Sequence, residues 1–313
     1  MSLVERALKK LQESRQSVPP AVGPAAAEVS PRTIDLELQK ASVHEFSAAP
    51  AVVQLSPSRA EEKATKIVQI ERNKLREMDL LPPADMERQI ASQYQQVKRP
   101  LIASALGRGG AAIPNGNIIM LASALPGEGK TFTSVNLALS MALEKDLEVL
   151  LVDADVAKPH ISRIFGLDND RGLLDLLVDS NVHPDSLILR TSVDRLSILP
   201  AGKRIETATE VLASPRMEEL VLQLVSDGKQ RIVLFDSPPL LLSTESRALV
   251  ANMGQIVLVV RADETVQKAV TDAIEAIGEA KPISLILNQT HTPPSSGYYG
   301  YGTYGDPAEP TGR

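Results

Sequence analysis

The sequence predicts an α/β fold of three layers, with helices on both faces of a mostly parallel sheet. Two observations carry that expectation. Short apolar runs rich in Val, Ile and Leu recur from Asn117 onward: NIIMLASA, EVLLVDAD, RLSILPA, RIVLFDSP, QIVLVVRA and ISLILNQ. Helical patterns fall between most of them, at 131–143, 214–225 and 265–276. Strands that are apolar along their whole length are buried on both faces, and strands alternating with helices return in parallel.

The segments before that core differ in texture. Leu3, Val4, Ala7, Leu8 and Leu11 recur at helical spacing and predict a short amphipathic helix over residues 1–15. Residues 16–60 are rich in Pro, Ala and Ser, a linker composition with too little periodicity for a core. Residues 60–80 return to charged helical texture, which Pro82 and Pro83 break. A further helix is expected from about Ala84 to Lys98, ahead of Arg99 and Pro100. Gly107, Gly109 and Gly110 follow no strand and read as a flexible connector rather than a nucleotide loop. The resulting division is a flexible N-terminal arm (1–80), a central domain (81–290) and a disordered Tyr-rich tail (291–313).

Composition bounds the function. The 313 residues hold 33 Lys plus Arg against 39 Asp plus Glu, a net charge of −6 that argues against a nucleic-acid partner. With no Cys, the chain has no disulfides, zinc-thiolate sites, iron–sulfur clusters or cysteine nucleophiles. With no Trp and 3% aromatics, the core must be aliphatic. No apolar run reaches the roughly 18 residues of a membrane span, and the first residues lack a signal-peptide core, so the expected location is cytoplasmic. The four His (His44, His160, His183 and His291) show no metal spacing and read as surface or turn residues.

Residues 124–131, ALPGEGKT, follow the first predicted strand and open a helix. The pattern is that of a phosphate-binding loop, with Ala124 where Gly is usual. Gly127 and Gly129 let backbone N–H groups turn toward a phosphate, and the helix N-terminus adds its dipole. Lys130 would reach the β- and γ-phosphates, and the Thr131 hydroxyl would coordinate Mg²⁺. Gly127, Glu128, Gly129, Lys130, Thr131 and Phe132 are therefore the candidate nucleotide contacts. Asp153 and Asp155 end one buried strand and Asp236 another. Such ends line the ligand crevice of an open α/β sheet. A lone Asp there is usually a cap or turn former. Beside a phosphate loop, three of them point to metal-assisted chemistry.

In these residues the chain resembles the bacterial tyrosine kinases, a phosphate-loop NTPase family. PGEGKT (126–131) is similar to their Walker A motif, and LLVDAD with Lys158 and Pro159 to Walker A′. VLFDSPPLL (233–241) is similar to Walker B. SVNLALSMA, LPAGK, VLASPRM, ILNQT and the Tyr tail resemble the stand-alone autokinases of exopolysaccharide loci associated with PEP-CTERM sorting. The resemblance covers roughly Tyr94 to Tyr304. It implies Mg²⁺- and ATP-dependent phosphoryl transfer to tyrosine, chiefly on the chain's own tail. It makes Lys130 and Thr131 phosphate and metal contacts, and Asp153 and Asp155 metal-associated, with Asp153 the base. It also makes Asp236 the acid behind a Mg²⁺-bound water. Asn288 resembles an adenine-contacting Asn and reads equally as a turn residue. A membrane polysaccharide co-polymerase, or chain-length determinant protein, is the implied activator that recruits the chain to the inner face of the membrane. Self-association through tail and kinase domain is implied as well. Two motifs depart from the family: Ala157, with Lys158 next to it, replaces an Arg of the second motif. Ser92, Gln95 and Lys98 stand where relatives have a ring-forming Glu and two Arg.

The tail argues separately. Four of the five Tyr (Tyr298, Tyr299, Tyr301 and Tyr304) fall within seven residues, interleaved with Gly297, Gly300, Gly302 and Gly305. Tyrosine normally buries its ring, so such a tail is either self-associating or a set of acceptors. Beside a phosphate loop, the acceptor reading is favoured. Two rivals remain. A Min/Par-type positioning ATPase would carry a signature Lys where Leu125 stands. A non-catalytic subunit would bind nucleotide only to control a polysaccharide export complex.

Overall fold

Six of the apolar runs form the strands of one sheet. In this computed structural model, which describes residues 66–108, 113–225 and 230–290, they are β1 (Ile118–Ser123), β2 (Glu148–Asp153), β4 (Leu196–Leu199), β5 (Arg231–Asp236), β6 (Gln255–Arg261) and β7 (Ile283–Asn288). A two-residue strand, β3 (Leu189–Arg190), completes the sheet in the order β3-β4-β2-β5-β1-β6-β7. All neighbours pair in parallel except β3 with β4. The expected helix at residues 1–15 and the Tyr tail lie outside the described residues.

Alternate side chains of each strand enter opposite layers, as the two-residue period of a strand requires. Ile118, Met120, Leu150, Val152, Val233, Phe235, Ile256 and Leu258 pack into one layer. That layer is covered by α5 (Leu173–Val178), α7 (Pro215–Val225), α8 (Thr244–Val250) and α9 (Gln267–Ile277). Ile119, Leu121, Val149, Leu151, Ile232, Leu234, Val257 and Val259 fill the other. Over it lie α2 (Glu87–Leu106), α3 (Lys130–Met141) and α4 (His160–Ile164). The short helices α1 (Arg72–Glu77) and α6 (Ala208–Leu212) complete the set among the described residues.

Two expectations are corrected. The helix expected to end before Arg99 runs through Pro100 to Leu106. Pro100 is exposed, so the missing N–H faces water, while Tyr94, Lys98, Leu101 and Ile102 hold the opposite face in the core. Burial of that face outweighs the lost hydrogen bond. The second correction concerns the arm, which was expected to extend to residue 80. Val68, Leu75 and Leu80 are buried, and Val68 N donates to Arg190 O at 2.9 Å beside β3. Asn136 on α3 fastens the end of this segment, donating to Leu80 O at 2.8 Å. Residues 66–80 thus pack with the domain.

Lys98, one of the positions where ring-forming residues stand in relatives, is 1% exposed. Its Nζ donates to Ser140 O at 2.7 Å and pairs with Glu144 Oε1 at 2.7 Å. It joins α2 to the end of α3 and the turn that follows it.

Candidate active site

The carboxyl ends of β2, β5 and β1 are neighbours in the sheet, and the glycine loop leaves the last of them. Ala124 is fully buried there, so its methyl fits where a phosphate loop commonly has Gly. Gly127 and Gly129 have φ of 81° and 85°, the left-handed region that glycine occupies without strain. At Gly127 a Cβ would meet nothing within 4 Å, whereas at Gly129 it would lie 2.0 Å from Asn288 Nδ2.

The Glu128 side chain holds the loop from within. Its carboxylate is 2% exposed and accepts from Leu125 N at 2.7 Å and from the Thr265 hydroxyl. The side chain folds inward and braces the loop, so a nucleotide could meet this residue only through its backbone. Asn288 Nδ2 donates to Glu128 O at 2.9 Å and Gln289 Nε2 to Gly127 O at 3.2 Å. In this structure the partner of the Asn288 amide is the loop itself.

Lys130 and Thr131 open α3 behind the loop, and Phe132 is partly buried against the core. Thr131 Oγ1 donates to Asp236 Oδ2 at 2.8 Å and Ser134 Oγ to Asp236 Oδ1 at 2.9 Å. Sequence reasoning missed Ser134, although its spacing of three from Thr131 puts both hydroxyls on one helix face.

Asp153 lies opposite Asp236 in the β2–β5 register. Its Oδ2 accepts from both Ser162 N and Ser162 Oγ at 2.7 Å, while its buried Oδ1 has no partner among the described residues. Burial pushes its carboxyl up to about 7, against the two Ser162 hydrogen bonds, and the nearby Asp236 and Asp155 push the same way. Asp155 is partly exposed and accepts from Lys158 N at 3.1 Å. Burial raises its carboxyl too, and the Lys130 charge opposes the shift. Ala157 and Lys158 are exposed at the start of the turn that follows.

Among the described residues no group of three or more His, Cys, Asp or Glu is placed to hold a metal ion by itself. The residues nevertheless fit a nucleotide-borne Mg²⁺. Thr131 offers a hydroxyl oriented by Asp236, the partly exposed Asp155 carboxylate lies near Lys130 and Asp236, and phosphate oxygens would complete the shell.

A glycine loop between β1 and α3, with acids ending the next two strands on one side, β5 and β2, defines a phosphate-loop nucleotide-binding protein. The AAA domain family matches residues 116–285, more than half of the chain. Tyrosine-protein kinase YwqD of Bacillus subtilis is 31% identical over 187 residues, 59% of this chain and 77% of that protein. Tyrosine-protein kinase ptk of Acinetobacter johnsonii is 31% identical over 184 residues, 58% of this chain and 24% of that protein. The kinase domain of VpsO matches with a TM-score of 0.54 at 28% identity, covering 66% of this chain and 100% of that domain. The chain belongs to the AAA domain family and, within it, to the bacterial tyrosine-protein kinases. It spans 24% of the length of the longer relatives it matches. No helix among the described residues is long and apolar enough to cross a membrane.

Proposed function

We propose that the chain is an ATP- and Mg²⁺-dependent protein-tyrosine autokinase that regulates exopolysaccharide synthesis or export. The observation that carries this reading is the pairing of Asp236 with Thr131 beside an Asp153 whose Oδ1 is unclaimed. A metal-facing hydroxyl at the start of α3, oriented by the acid ending β5, then lies beside a carboxylate on β2 able to take a proton. The non-metal alternative, that these acids merely cap strand ends, leaves the buried orphan oxygen unexplained.

In the reaction, the tyrosine oxygen forms a bond to the γ-phosphorus of ATP, the bond to the β,γ-bridging oxygen breaks, and ADP leaves. Loop N–H groups and Lys130 hold the phosphates, so catalysis is chiefly positioning and charge stabilisation. Mg²⁺, when bound, would neutralise charge on the phosphoryl oxygens, with Thr131 and Asp236 holding it and Asp155 beside it. Asp153 accepts the phenolic proton; with an ordinary phenol pKa near ~10, that transfer is needed only late.

The acceptors are Tyr298, Tyr299, Tyr301 and Tyr304. Tyr94, the remaining tyrosine, is 9% exposed, hydrogen-bonded to Thr133, and burial pushes its phenol up to about 12. It is therefore a core residue. A Min/Par-type ATPase reading lacks its signature Lys, since Leu125 packs against the core at that position. A membrane co-polymerase is the proposed activator. The test is incubation of the purified chain with ATP and Mg²⁺, followed by anti-phosphotyrosine blotting and mass-spectrometric mapping. Phosphate on the four tail tyrosines supports the reading, and its absence rejects it.

A further inference from the structure

Ser162 belongs to neither the loop nor the acid-tipped strands, yet it decides which Asp153 oxygen is free. It lies in α4 and is 2% exposed. Its N and Oγ both donate to Asp153 Oδ2 at 2.7 Å, and its Oγ accepts from Ala201 N at 3.0 Å. A hydroxyl carries one proton. With Ala201 N–H on the accepting side, that proton is directed at Asp153. Ala201 is itself fixed, because its carbonyl accepts from Leu174 N at 3.0 Å and the preceding Pro200 O accepts from Leu173 N at 2.8 Å. The turn after β4, the start of α5 and α4 therefore act together on one carboxylate oxygen.

We infer that Ser162 is a positioning residue for phosphoryl transfer, holding Asp153 Oδ2 so that Oδ1 alone is presented to the acceptor tyrosine hydroxyl. The inference rests on the reading of Asp153 as proton acceptor. In that step the phenolic O–H bond breaks and its proton goes to Oδ1, while the oxygen bonds phosphorus and ADP departs. Without the Ser162 hydroxyl, Asp153 keeps its place on β2 and its bond from Ser162 N but loses half of what fixes its rotation. A misaligned acceptor of this kind slows turnover by about 10–100-fold. Nucleotide binding, which uses the loop, is untouched.

The experiment measures kcat and KM for ATP in full-length wild type, Ser162→Ala and Ser162→Cys, reading both phosphotyrosine and ADP. Cys is close to Ser in size and a poor donor, so it carries the same readout with little change in packing. The expected result is a kcat about 10–100-fold lower with KM for ATP changed less than about two-fold. Adding Ser162→Ala to Asp153→Asn should lower kcat no further, because the serine acts through the aspartate. Unchanged kcat, an effect confined to KM, a further loss in the double variant, or failure of both single variants to fold each overturns the inference. If wild type releases ADP without phosphotyrosine, the tyrosine reading falls and Ser162 is judged on ADP release. If wild type produces neither, both fall.

Discussion

Asp153 and Asp236 are register partners at the ends of β2 and β5, both without exposed surface, yet their oxygens are used in opposite ways. Both Asp236 oxygens are taken by α3 hydroxyls, whereas Asp153 commits only Oδ2 and leaves Oδ1 bare. That pattern suits Asp236 to orienting the α3 hydroxyls and, on the function proposed above, Asp153 to accepting a proton. The Asp236 charge adds to burial in raising the Asp153 carboxyl, a cost that is tolerable where a proton or a cation completes the site.

Asp236→Asn should separate stability from turnover. The amide can still accept from one hydroxyl, and Ser134 Oγ already has Lys130 O at 3.0 Å as another acceptor. Folding should therefore change by less than about 1.5 kcal/mol. Phosphoryl transfer should fall by about 10² or more, as should that of Lys130→Met, which removes the loop's cation. Chemical denaturation and phosphotyrosine formation measured on the same preparations check this. Near-normal turnover would make Asp236 a strand-end cap.

Asp153 gives the folded chain a pH dependence. Unfolded, its carboxyl titrates near ~4; folded, burial raises it to about 7. Between these values the folded state binds more protons than the unfolded state, so stability falls as pH rises through the window. Below it both forms are protonated and the penalty vanishes; above about 7 it is complete. Asp153→Asn removes this dependence. Without nucleotide or Mg²⁺, the melting temperature of Asp153→Asn relative to wild type should rise between about pH 4 and pH 7 and level off above that. A pH-independent difference would falsify the assignment.

What was legible in the sequence followed from repetition. Strands buried on both faces must be apolar at every position, so β1, β2, β5 and β6 were visible as runs. The loop was visible because its glycines, Lys130 and Thr131 are each demanded by chemistry. β3 left no pattern because two residues have no period. The packing of residues 66–80 rests on scattered side chains such as Val68 and Leu75, which resemble any charged helix with occasional apolar residues. Ser162 and Thr265 were invisible for another reason: they act on Asp153 and Glu128 across 9 and 137 positions, and a serine or threonine alone carries no motif.

Lys98→Met should be destabilising despite keeping the stem's bulk. The Ser140 carbonyl loses its Lys98 donor in the core, at a cost of about 1–3 kcal/mol. Its ion-pair partner Glu144 is 47% exposed and regains water, so Glu144→Gln should cost less than about 1 kcal/mol. Urea denaturation of the two variants decides the order. Equal losses would mean the ion pair, not the carbonyl contact, matters.

The final prediction concerns the loop and the end of β7. In Gly129→Ala two penalties combine. The left-handed backbone at φ 85° strains any L side chain by about 1–2 kcal/mol, and the methyl would fall 2.0 Å from Asn288 Nδ2. The amide must swing away and release Glu128 O, which it now donates to at 2.9 Å. Asn288→Ala alone should cost only that hydrogen bond, about 0.5–1.5 kcal/mol. In the double variant nothing remains to collide with the methyl, and the same hydrogen bond cannot be lost twice. Its destabilisation should therefore fall short of the sum of the single values, by an amount close to the Asn288→Ala effect. At Gly127, where a Cβ meets nothing within 4 Å, the same Asn288→Ala partner should add in full. Thermal denaturation of the three single and two double variants tests the pair of statements. Full additivity at Gly129 would mean that Asn288 moves aside freely, and that the loop and β7 are not coupled through this contact.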